Sequence, residues 1–251
     1  MTYRTRQPFV YMLCVLAPLV TPLAQGAEDS QWGLGLVAGA MRKPYRDIGN
    51  DAIVFPLLSY ENRWVRIKGP GIELKLAAGG SFETTLRARY SNDGYEAEDS
   101  PYLEGMRERK ASIWIGPALS WQQNGTTLSF EWLADASGHS KGTQASLSLE
   151  RRFTHGRWSL TPRIGATVRS AKTVNYYFGV DASEARAWRP TYKPGSSTGA
   201  DLGARLTYSL DASSFLLLDA GIGQLGNAVK ASPLTENSTQ RHLFVGYLHN
   251  F

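Results

Sequence analysis

Beyond its amino-terminal leader the chain has no cysteine, because the single one, Cys14, falls inside an apolar run at the very start. Disulfides and thiol chemistry are therefore excluded from the rest of the protein. Long apolar runs are missing too. No later segment approaches the roughly 18 consecutive apolar residues of a spanning helix, which excludes helical membrane spans but leaves open a barrel of short strands. Histidine is scarce, four in 251 residues, and no paired His or Cys spacing occurs, so neither a metal nor a cofactor is expected. A large excess of one charge is absent as well. Without Arg4 and Arg6 of the leader, 25 basic side chains stand against 22 acidic ones, too even a balance for a nucleic-acid partner.

The leader itself sets the compartment. Arg4 and Arg6, the apolar run from Pro8 to Leu23 and the small-residue stretch Ala24-Gln25-Gly26-Ala27 have the form of a secretory signal peptide. Cleavage after Gly26 is expected, giving a signal peptide over 1–26 and a single domain over 27–251. Pro18 and Pro22 break the run, which argues against a retained anchor.

The remainder alternates with a period of two. Trp158, Leu160, Pro162, Ile164, Ala166 and Val168 form an apolar face against Ser159, Thr161, Arg163, Gly165, Thr167 and Arg169. The same split recurs at 82–90, 128–135 and 200–210. A soluble sandwich alternates as well. The stronger signal is a strand of about ten residues, repeated many times, with charges in the middle of the polar face. Twelve strands are expected, at roughly 31–40, 53–60, 64–68, 71–78, 81–91, 111–121, 126–135, 142–153, 157–169, 198–210, 214–223 and 241–251. If the third and fourth merge, the count is ten. Tight turns rich in Gly, Asn, Asp or Ser follow the even-numbered strands, and longer connections follow strands one, five, nine and eleven. The expected fold is an all-β, closed antiparallel transmembrane barrel with long extracellular loops and short periplasmic turns, lodged in lipid. The last residues, RHLFVGYLHNF, place Leu243, Val245, Tyr247 and Phe251 on one face and end on an aromatic, as barrel assembly signals do, although His249 stands where a large apolar residue is usual.

Three segments carry a resemblance to a known family. PYRDIGNDAIVFPLLSYENRW after the first strand, YYFGVDASEA followed by RPTYKPG, and ASPLTEN before the last strand resemble the MipA/OmpV family of outer-membrane proteins. The resemblance implies a barrel in the outer membrane of a Gram-negative bacterium. It also implies a scaffold that links a murein hydrolase to a murein synthase, with other members described as porin-like or stress-responsive. Fold follows from such a likeness more directly than task does.

The polar strand faces direct Arg87, Arg89, Glu131, Arg163, Arg169, Asp201 and Arg205 toward the lumen, together with Glu73, Lys75, Glu83, Asp135, Glu150, Arg152 and Asp219. Mixed signs allow these groups to pair and fill a bore far narrower than that of a 16-strand porin. A path left open beside the Arg-rich wall would favour anions. The longest connection, Ser170 to Ser197, contains the family-like motif Tyr177, Phe178, Gly179, Val180, Glu184 and Tyr192. Asp181 and Glu184 suggest a capped helical turn over 182–187. Tyr176, Tyr177 and Phe178 are expected to pack over or into the barrel mouth, with ASPLTEN as their neighbour. Such a segment is either a lid that seals the bore or a surface for a ligand or partner.

Enzymatic function is not expected. His139 and Ser140 are adjacent in one loop, a poor geometry for a base and its nucleophile in a lipid hydrolase. His155, His242 and His249 have no nucleophile motif beside them. Gly33, Gly35 and Gly39 recur with a period of two and mark a strand face rather than a nucleotide loop.

Overall fold

In a computed structural model of the protein, which describes residues 30–251, the chain forms an antiparallel β-barrel. The expected signal peptide over 1–26 lies outside the described residues. The strands are β1 (Gln31–Arg42), β2 (Asn50–Glu61), β3 (Val65–Lys68), β4 (Gly71–Gly79), β5 (Phe82–Ser91), β6 (Ser112–Gln123) and β7 (Thr126–Asp135). They continue as β8 (Thr143–Arg151, resuming as Phe153–His155), β9 (Trp158–Arg169), β10 (Ser197–Ser209), β11 (Ser214–Gln224) and β12 (Thr239–Asn250). Each pairs with its sequence neighbour, and β12 returns to β1 with Leu248 opposite Gly35 and His242 opposite Met41, which closes the cylinder. Closure satisfies the backbone groups that lipid cannot.

The period-two pattern sorts the side chains as expected. Leu34, Leu36, Leu86, Ile115, Phe130, Trp132, Ile164, Leu202, Leu218 and Val245 are exposed on the outer surface. Cross-strand aromatic pairs mark the periplasmic ends: Trp32 with Tyr60 at 4.3 Å between ring centroids, and Trp158 with Tyr208 at 4.6 Å. Rings at that level form the interfacial girdle of an outer-membrane barrel.

Two details differ from the sequence reading. The eighth strand is interrupted at Arg152, so the turn into β9 is Gly156-Arg157 and Thr154-His155 remain in the ladder. The bore is also not polar throughout. Val37 and Met41 of β1, Ile53, Phe55 and Leu57 of β2, Leu217 of β11 and Leu248 of β12 form a buried apolar cluster inside the wall. The cause lies partly in β1, where a Cβ on Gly35 would sit 2.0 Å from the Tyr247 carbonyl oxygen. Glycine lets β1 and β12 approach this closely and coil, so that inward apolar side chains of neighbouring strands pack on one another.

The extracellular loops build a second core. Tyr45 and Ile48 from the β1–β2 loop, Tyr95, Leu103 and Met106 from the β5–β6 loop, Val174, Tyr177, Phe178 and Val180 from the β9–β10 loop, and Leu225, Val229 and Leu234 from the β11–β12 loop meet Trp114 and Leu133 at the strand tops. Four loops far apart in sequence thus share one apolar interior facing water, where each large buried side chain contributes about 1.5–3 kcal/mol.

Candidate functional site: the charged bore and its cap

The longest loop begins with a helix. Ser170 caps α1 (Ala171–Phe178) by accepting from the Thr173 amide at 3.4 Å, and Val174, Tyr177 and Phe178 project from one face into the cap core. The sequence reading left this segment without regular structure, yet its i, i+3, i+4 spacing and Ser N-cap were visible. Gly179 ends the helix by donating to the Asn175 carbonyl at 2.9 Å. A Cβ there would lie 2.4 Å from that same oxygen. Val180 and Tyr192 then pair as a one-residue antiparallel bridge, with amides donating in both directions at 2.8 and 3.0 Å. The Tyr192 hydroxyl donates to the Ala228 carbonyl at 2.8 Å, which ties the loop to α2 (Asn227–Lys230).

The capped turn forms over Ala182–Glu184, shorter than expected, with Asp181 and Glu184 in a capping box. Glu184 is buried and receives Nη2 of Arg109 on both carboxylate oxygens at 2.9 and 2.8 Å, plus the Arg107 amide at 3.0 Å. Burial alone would push its carboxyl up. The Arg109 hydrogen bonds outweigh that effect and hold it at about 2. Arg189 is fully buried and donates to the Glu184, Tyr102 and Glu104 carbonyls, stitching the β5–β6 and β9–β10 loops together. Neither arginine was singled out from sequence, because each partner is a loop residue fixed only by the tertiary fold. The Ser232 hydroxyl donates to the Phe178 carbonyl at 2.6 Å, and Leu234 is fully buried beside α1. The ASPLTEN segment is therefore the packing partner expected. Burial raises the Tyr177 hydroxyl well above its ordinary range, and that hydroxyl donates to Ser112 Oγ at 3.0 Å.

Beneath the cap, ion pairs cross the bore. Arg66 donates to Glu61, Glu73 and Glu83 at 2.7–3.0 Å. Arg87 bridges Glu73 at 2.7 Å and Glu131 at 2.6 Å, and Arg89 reaches the second Glu131 oxygen at 3.1 Å. A second knot centres on Asp219, which accepts both Arg163 terminal nitrogens at 2.8 Å, Arg205 Nε at 3.1 Å and pairs with His242 at 3.0 Å. Between these knots lies a cavity of about 240 Å³. Arg87, Arg89, Glu131, Arg163, Arg169 and Asp201 line it, whereas Arg205 is buried in the Asp219 knot. Arg66 belongs to this set and was missed, since β3 is too short to show a pattern.

His139 and Ser140 do not face each other. Nδ1 of His139 pairs with the Ala111 carbonyl at 2.8 Å, and Ser140 Oγ donates to Asp135 at 2.7 Å.

A family model described as MltA-interacting protein MipA matches residues 34–251. The MltA-interacting protein of Escherichia coli (strain K12) is 26% identical over 245 residues, spanning 95% of this chain and 98% of that protein. YiaT of the same organism is 22% identical over 227 residues, spanning 89% and 92%. A solved outer-membrane channel from Pseudomonas putida F1 aligns with a TM-score of 0.45 and 14% identity, covering 92% of this chain and 100% of that one.

Proposed function

The chain belongs to the MipA family and is a β-barrel of the Gram-negative outer membrane, and from that premise we propose that it is a sealed scaffold linking a murein hydrolase and a murein synthase. The observation that supports this reading is the cap. Four loops close the extracellular mouth around one apolar core, and Arg66, Arg87 and Arg163 bridge the bore below it. A barrel blocked at two levels suits anchoring better than conduction. The relative named for its interaction with MltA supplies the partner class.

The reading is non-enzymatic. Docking falls to the periplasmic rim, where the turns at Asn62-Arg63-Trp64, Asn124-Gly125 and Gly156-Arg157 present a shallow surface with Trp64 and Trp158 exposed. The alternative is a narrow, anion-favouring channel, for which the Arg-lined cavity is the supporting observation. A pull-down from detergent-solubilised outer membranes tests the scaffold. Co-purification of a lytic transglycosylase and a murein synthase, absent with a control barrel, is the expected result; recovery of neither overturns it.

A further inference from the structure

The wall has a seam between β2 and β3. β3 is only four residues long, and its ladder to β2 covers Ser59–Glu61 alone. The Gly69 amide adds one bond to the Leu58 carbonyl at 3.0 Å, and the Asn62 amide donates to the Val65 carbonyl at 2.9 Å. Those two bonds show that even-numbered residues of β2 turn their backbone groups toward β3, as antiparallel alternation requires. Above Leu58, Ala52, Val54 and Pro56 direct theirs into the seam, where no ladder partner stands among the described residues. The odd-numbered residues remain bonded to β1.

Open backbone edges in a membrane are tolerated only where protein buries them or where they line a water-filled cavity. The cavity described above reaches the far side of the seam, because its lining includes Pro70 and Gly71 at the hairpin tip and Tyr90 and Ser91 beside it, whereas the inward side chains of β2, Ile53, Phe55 and Leu57, pack in the apolar cluster. The loops of the cap core lie at the extracellular mouth, and none of that core's side chains lines the cavity. Pro56 narrows the choice of occupant. It has no N–H to offer, so a strand from another chain would lose a ladder bond there. On the outer surface Val54, Pro56 and Ile72 present apolar groups. Inside, Lys68 and Arg89 stand with Asp93, Ser91, Ser146 and Thr167, a lining of both signs and several hydroxyls. An apolar exterior joined to a mixed-sign interior suits an amphiphile with both charges on its head.

We infer that the β2–β3 seam is a lateral portal through which the headgroup of a zwitterionic phospholipid reaches the cavity from the membrane while its acyl chains stay outside. Access is sideways, so the portal requires no path along the barrel axis. Two measurements on the full-length protein test it. Cys14 is the chain's single native cysteine and lies in the leader, so Ser91→Cys provides a unique cavity thiol and Thr207→Cys a buried inward control away from the cavity. In vesicles containing a phosphatidylcholine analogue whose maleimide is tethered to the quaternary nitrogen, so that both headgroup charges remain, Ser91→Cys is expected to gain the mass of the lipid at least about tenfold faster than Thr207→Cys. Labelling of Ser91→Cys by a water-soluble maleimide but not by the lipid would mean access from the aqueous side, and labelling by neither would mean a closed cavity; either overturns the portal. Amide exchange in the unmodified protein gives the second readout. Ala52 and Val54 are expected to exchange at least about tenfold faster than Ile53, Phe55 and Leu57, and equal protection along β2 overturns the open edge.

Discussion

The cap and the bore of this barrel both contain buried charge, but they hold it differently. In the cap a single acid holds the buried arginine: Glu184 pairs with Arg109, to which no second carboxylate is bonded among the described residues, while the exposed Arg107 has both Glu184 and Asp181. In the bore most acids are shared. Arg66 has three glutamates within reach, and Arg87 has two. The cap also faces water, where apolar burial is strongly favourable, whereas the wall faces lipid, where it is not. Redundancy therefore protects the Arg66–Arg87 network of the bore, whereas the cap, like the Asp219 knot, depends on a single central acid.

The largest expected effect follows directly. Glu184→Gln leaves Arg109 buried without its ion pair and should cost the cap about 3–5 kcal/mol, seen as loop proteolysis at unchanged barrel β content. Leu103→Ala, at a fully buried position, should loosen the cap by about 3 kcal/mol through the cavity it leaves. In the bore, Glu73→Gln should cost only about 1 kcal/mol, because Arg66 keeps Glu61 and Glu83 and Arg87 keeps Glu131. A loss from Glu73→Gln as large as that from Glu184→Gln would erase the contrast.

Acid should act on the cap in the same sense. The Glu184 carboxyl is held at about 2, below its ordinary value of 4.5, so its contribution is fully present above about pH 4.5 and is lost as pH falls toward 2. Pepsin cleavage within 170–196 should rise across that window in the wild type. Glu184→Gln should be cleaved readily at every pH in it.

The wall was legible because lipid imposes a period-two pattern on every strand, and twelve strands were placed with their turns within a few residues. The cap was legible in outline only. Tyr177 and Phe178 were too apolar to remain in water, and Asp181 with Glu184 signalled a capped turn, but α1 was overlooked because the aromatic run drew the reading away from its Ser170 cap. Arg109, Arg189 and Arg66 were not legible at all. Their partners are set by loop packing and cross-strand register, which a single sequence does not encode locally. The apolar half of the bore was hidden for a related reason: β1 and β2 are apolar on both faces, so alternation could not show that Val37, Ile53 and Phe55 turn inward.

Single-channel conductance of the purified wild-type barrel in a planar bilayer at neutral pH tests the sealed bore most directly. The account predicts no steady current, with conductance appearing only when the cap is opened by Glu184→Gln and bore pairs such as Arg87–Glu131 are removed as well. A stable, anion-selective current through the wild type would contradict it and make the barrel a channel.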